Sequence, residues 1–181
     1  MMNDKLNNFL KKIKLIDTFE INLQLSQHDF IEKLSAVTEK GNLGIFSESY
    51  FGLKKNKKEY IGQISYDSFS IRKQRNFPNA KNNSANATGT MSEDNGNLKI
   101  DTEINGFKST ILIFYVCLIF FYAFALPKFL NTNNEREILL IVFFVVQGVF
   151  MFTIPYIMMR LSVRRFKYDL ERELFFLTKN N

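Results

Sequence analysis

The chain has 181 residues, with 24 Lys plus Arg against 18 Asp plus Glu and a formal net charge of +6 at neutral pH. One cysteine and one histidine exclude a disulfide framework, an all-thiolate zinc site and a multi-histidine metal centre. Its mean hydropathy of -0.12 is that of a soluble protein only because it averages a polar stretch, 1–108, with two long uncharged runs.

Residues 1–15 read as an amphipathic helix. Leu6, Phe9, Leu10 and Ile13 fall on one face, with Asn7, Asn8, Lys11 and Lys12 on the others. The segment lacks the apolar core of a cleaved export signal, so the domain that follows is expected to stay in the cytoplasm.

Residues 16–107 read as an α+β domain, an antiparallel sheet of about five or six strands with one covering helix. Phe19, Ile21, Leu23 and Leu25 alternate with polar residues as a half-buried strand does. Ser26, with Asp29 three residues on, forms a variant capping box, and Phe30, Ile31, Leu34 and Val37 follow at helical spacing until Gly41. A strand is expected at 43–51, and a lysine-rich turn at 54–58. A further strand spans 59–66, with Tyr60, Ile64 and Tyr66 on one face, and another spans 69–72. The Asn-rich run 74–86 with Pro78 reads as a loop. Asn95-Gly96 between alternating segments 87–93 and 98–104 is the strongest hairpin signal in the chain.

From 109 to 127 no residue is charged and every face is apolar; at 1.5 Å per residue this helix would span roughly 28 Å, close to the bilayer core of ~30 Å. A second uncharged run, 138–159, is longer. The connector 128–137 is short enough to make the two an antiparallel transmembrane hairpin. It carries Lys128 and Arg136, whereas the opposite side carries Lys108, Arg160, Arg164, Arg165 and Lys167; both termini are therefore expected to be cytoplasmic, in a multi-pass inner-membrane protein. Neither span holds an ionisable residue, which argues against a lone transporter or channel. Gln147 beside Gly148 in the second span is a candidate helix-contact or partner site.

Residues 160–181 read as a cytoplasmic amphipathic helix, its apolar stripe including Phe166, Leu170 and Leu174. That stripe needs a protein or membrane surface, and the neighbouring Arg160, Arg164, Arg165 and Lys167 suit anionic lipid headgroups.

Signatures of catalysis are missing: there is no Gly-x-Ser-x-Gly, phosphate-binding glycine loop or His-Glu-x-x-His. His28 and Asp29 are successive helix residues that do not face each other. No catalytic residue, cofactor or metal is expected, and the weak positive charge of the first 108 residues does not suggest nucleic acid. The expected role is a binding or assembly module in a membrane-associated complex, with a protein partner or a second copy of the chain. The element order also resembles the helix-grip arrangement, in which a curved sheet wraps a helix and encloses an apolar ligand; this implies the alternative role of a tethered binding domain for a lipid or other apolar small molecule. In that arrangement the closing helix would be the first span or its cytoplasmic extension.

Overall fold

A computed structural model describes residues 2–41, 43, 58–74, 85–94, 96–130 and 135–179. They form two compact units, Met1–Gly106 with Met159–Asn181, and Phe107–Met158.

The first unit is α+β. Its elements are α1 (Met2–Lys12), β1 (Ile16–Leu23), α2 (Gln27–Val37), β2 (Thr38–Lys40), β3 (Tyr60–Ile64), β4 (Ser68–Lys73), β5 (Asn86–Asp94) and β6 (Asn97–Asn105). The six strands form one sheet in the order β1-β6-β5-β4-β3-β2. All pairings are antiparallel except β2 with β3. The expectation of a purely antiparallel sheet is corrected by that one edge: a tight hairpin would reverse the chain, whereas a long connection returns it to the same end.

The β5–β6 hairpin follows its turn signal. Asp94 pairs with Asn97, leaving a two-residue loop in which Gly96 takes a φ of 77°, a conformation open to glycine without steric cost. Helix α2 starts where its cap predicts: the Ser26 hydroxyl accepts from the Asp29 amide at 3.1 Å and donates to the Asp29 carboxylate at 2.7 Å. The helix stops at Val37 and passes directly into β2, so Gly41 does not close it; the Gly41 amide instead donates to the Gly62 carbonyl. Lys58 donates to the Ser35 and Thr38 carbonyls at 2.9 and 3.1 Å, putting a cation at the negative end of α2. Strand β3 ends at Ile64, so Tyr66 lies in the turn to β4 and is exposed rather than aligned with buried Tyr60. The strand expected at 43–51, most of the lysine turn and most of the loop at 74–86 lie outside the described residues.

One face of the sheet is apolar: Leu23, Leu98, Ile100, Ile104, Ala87, Met91, Phe69, Ile71 and Tyr60 are buried there with Phe30 and Leu34 of α2. The rest of that layer comes from the chain's last helix, α4 (Glu135–Lys179), whose Val163, Phe166, Leu170 and Leu174 belong to the same core. Two helices therefore cover the sheet, not one. In helix-grip terms, the closing element is the end of the last helix and not the first span.

The second unit pairs α3 (Ser109–Leu130) with the first part of α4. The helices run antiparallel. The Tyr115 ring stacks on Phe152 at 5.4 Å and its hydroxyl donates to the Phe152 carbonyl at 2.9 Å, while the Tyr122 hydroxyl donates to the Phe144 carbonyl at 3.3 Å. Outward-facing Ile113, Phe120, Phe124, Val142, Phe143 and Phe150 are all exposed. Among the described residues, one helix, Ile141–Phe176, is long and apolar enough to cross a membrane; α3 contributes a shorter apolar stretch, Ser109–Ala125.

Candidate functional site

The two faces of the sheet differ sharply. Each strand alternates, and the residues that point away from the core are Thr18 and Glu20 of β1, Asp101 and Glu103 of β6, Thr88 and Thr90 of β5, Ser68 and Ser70 of β4, and Gln63 of β3. They line an open depression of about 810 Å³ that runs across five strands. With Ser65 beyond β3, six hydroxyls, one amide and three carboxylates line it, and among the described residues no Lys or Arg does. The depression is thus a hydrogen-bonding surface rich in hydroxyls, its three carboxylates largely offset by lysines at the margin (Lys99 also lies 4.0 Å from Asp101), and it suits a neutral or weakly basic polar segment. Lys99 and Lys11 stand at its margin, pairing with Glu20 at 3.0 Å and Glu103 at 3.3 Å.

On the opposite face, the described side chains of sheet and helices pack into one buried apolar cluster. Among the described residues, a concavity of about 180 Å³ there is bounded by Leu34, Val37, Tyr60, Leu170, Leu174 and Phe176. Sites for drug-sized ligands usually measure roughly 300–1,000 Å³.

The candidate residues of the last helix divide by face. Phe166, Leu170 and Leu174 are 0–1% exposed, and Phe166 lies 6.3 Å from the Tyr60 ring. Their stripe is covered by the sheet and α2 of the same chain, a self-packing that helical spacing alone does not distinguish from docking on a partner. Arg160, Arg164 and Arg165 are exposed. Lys167 turns toward the sheet, donating to the Asp17 carboxylate at 3.1 Å and the Thr18 carbonyl at 3.3 Å. In the second unit Gly148 is buried: a side chain there would start 3.1 Å from the Tyr122 ring, so glycine lets the tyrosine close over the helix. Gln147 is half-buried beside it.

Sequence reasoning missed a polar cluster that fastens this helix to the paired ends of β3 and β4. Lys73 of β4 lies 3.1 Å from Asp169, 3.6 Å from Glu173 and 3.2 Å from Glu59, while the Tyr60 hydroxyl donates to Glu173. Burial pushes the Tyr60 hydroxyl well above its usual value, and the Glu173 hydrogen bond adds to this. Burial also raises the Glu173 carboxyl, against the pull of the Tyr60 bond and the Lys73 charge. At Lys73 burial acts to lower the value, but the hydrogen bond to Asp169 and the surrounding carboxylates outweigh it, and the net direction is up. Asp169 and Glu173 lie about 100 residues from Lys73 and Tyr60, so no local motif announces their meeting. Among the described residues no three of His, Cys, Asp and Glu converge to hold a metal ion.

No protein-family model matches this chain, and no curated protein matches its sequence.

Proposed function

We propose that the chain is a two-span membrane protein, with spans at 109–127 and 138–159 and both termini in the cytoplasm, whose α+β domain is a binding module in a membrane-associated complex. The observation that carries this reading is the hydroxyl-lined, carboxylate-bearing depression on one face of a sheet whose apolar face is covered by the domain's own helices. A short basic or neutral segment of a partner protein is the ligand that its chemistry fits. The spans are supported by their length, their freedom from charge and the apolar residues exposed all around the antiparallel pair.

The test is co-purification of tagged full-length protein, at native expression and in mild detergent, from wild type and from Ser70→Arg and Thr88→Arg variants. Both positions line the depression and neither side chain is in the core. A partner retained by the wild type and reduced at least about tenfold in both variants is expected, since like charge or bulk placed across an interface costs more than 1.4 kcal/mol. A wild-type protein that elutes alone, or a partner indifferent to both substitutions, defeats the proposal.

A further inference from the structure

Helix α1 turns large apolar side chains outward next to basic ones. Leu10 is buried, its carbonyl accepts from the Leu15 amide at 2.9 Å, and Lys11 is paired with Glu103, which fixes the side of α1 that faces the domain. Leu6 and Phe9 remain 45% and 55% exposed. At 3.6 residues per turn, Lys5 and Lys12 flank Phe9, and both are exposed.

The position of α1 in the fold says what covers this face. Lys14, at a φ of 59°, turns the chain out of α1, and the next residue, Leu15, accepts from the Gly106 amide at 2.9 Å. Gly106 is the last residue of the unit before the apolar hairpin, and α3 begins three residues later at Ser109, at most ~11 Å of extended chain. The chain re-enters the unit at Met159, whose carbonyl would lie 3.1 Å from a side chain at Gly106. The end of α1 and both connections to the hairpin therefore meet at one place. The register sets this place at one end of the sheet, with Ile16, Asn105 and Asn86 paired in line; Tyr66 lies at the other end, beyond the far ends of β3 and β4.

We infer that α1 is an interfacial membrane helix, laying Leu6 and Phe9 into the headgroup boundary of an anionic bilayer while Lys5, Lys12 and Lys14 meet the lipid charge. This rests on the two-span reading of the hairpin. An amphipathic basic helix held at a span's exit meets lipid at high effective concentration, so a modest apolar face suffices. With α1 and the hairpin both engaged, the domain has two attachments to the surface instead of one.

The sequence contains no tryptophan, so Phe9→Trp, Tyr66→Trp and Phe124→Trp each give the full chain a single reporter. The three variants are placed in nanodiscs of anionic and of zwitterionic lipid, with and without bromine-labelled acyl chains. In anionic discs the Phe9 and Phe124 reporters are expected to be blue-shifted and quenched by bromine at least about twofold more than the Tyr66 reporter. Quenching at position 9 is expected to weaken in zwitterionic discs and on changing Lys5, Lys12 and Lys14 to Gln. A position-9 reporter as unquenched as position 66, with position 124 quenched, overturns the inference and leaves the spans standing. A blue shift at position 9 without bromine quenching overturns it in favour of a protein contact. Equal quenching at position 9 in both lipids overturns the anionic assignment, and an unquenched position 124 overturns the membrane reading itself.

Discussion

The amino group of Lys167 reaches the Asp17 carboxylate at 3.1 Å and stands 6.0 Å from the centre of the Phe19 ring, so the last helix of the chain is pinned to its first strand. Both partners are partly exposed, at 27% and 45%, and such a pair contributes no more than about 1 kcal/mol. What holds the helix is the row Val163, Phe166, Leu170 and Leu174 beneath it.

That division yields a first prediction. Phe166→Ala, Leu170→Ala and Leu174→Ala should each cost on the order of 2–5 kcal/mol, because each leaves a cavity in a buried core. The triple Arg164→Gln, Arg165→Gln, Lys167→Gln should leave the fold intact and lose at most about 1 kcal/mol. Thermal unfolding and limited proteolysis of the full chain in detergent separate the two sets. Equal effects would mean that the apolar row does not hold the helix.

A second prediction concerns pH. Tyr60 and Lys73 are both raised in the fold from ordinary values of 10.0 and 10.5. Above pH 10 the unfolded chain loses the Tyr60 proton while the folded one keeps it, and the stability that Lys73 supplies below 10.5 is lost as pH rises through its folded value; both effects make stability fall in alkali. Glu173, raised from 4.5, acts the same way at lower pH: its contribution is most favourable below 4.5 and declines as pH rises through the folded value. Tyr60→Phe should flatten the alkaline limb of a melting-temperature profile, and Glu173→Gln the limb starting near 4.5. Unchanged slopes would show that the cluster is not the source.

Thr102 offers a third. It is 2% exposed on the apolar face, between Ile100 and Ile104, and its hydroxyl has no hydrogen-bond partner among the described residues. Thr102→Val keeps the shape and removes a desolvated hydroxyl, so it should be neutral or stabilising by up to about 1–2 kcal/mol. A loss of stability on calorimetry would show that the hydroxyl is satisfied.

The topology supplies a fourth. In a Cys117→Ser background, single cysteines at Asn3 and Asn181 should resist an impermeant thiol reagent in intact cells, and one at Asn133 should react, because the basic residues gather beside Lys108 and Met159. Labelling at either terminus would reverse the orientation.

Some of this architecture is legible in local sequence and some is not. Ser26 and Asn95-Gly96 announce a helix start and a hairpin because cap and turn chemistry act over three or four residues. The row Phe166, Leu170, Leu174 announces an apolar face but not its destination, since helical spacing says only that a surface is needed. The parallel β2–β3 edge, the Lys58 cap and the Lys73 cluster join residues separated by about 20 to 100 positions, where no local pattern operates. Alternation in β1, β5 and β6 reveals a polar face, but only the stacking of five strands turns it into a depression.

The first unit is assembled from two pieces of chain, Met1–Gly106 and Met159–Asn181, with the apolar hairpin between them. The sheet is therefore synthesised long before the last of the helices that cover its apolar face. During translation, at ~5–20 residues per second, Ile71, Ala87 and Ile104 wait for several seconds without Phe166 and Leu170. Both apolar helices must leave the ribosome before the core can close. A chain whose hairpin stalls would present an open β surface to chaperones and proteases, so maturation of the domain itself reports that the hairpin has been completed.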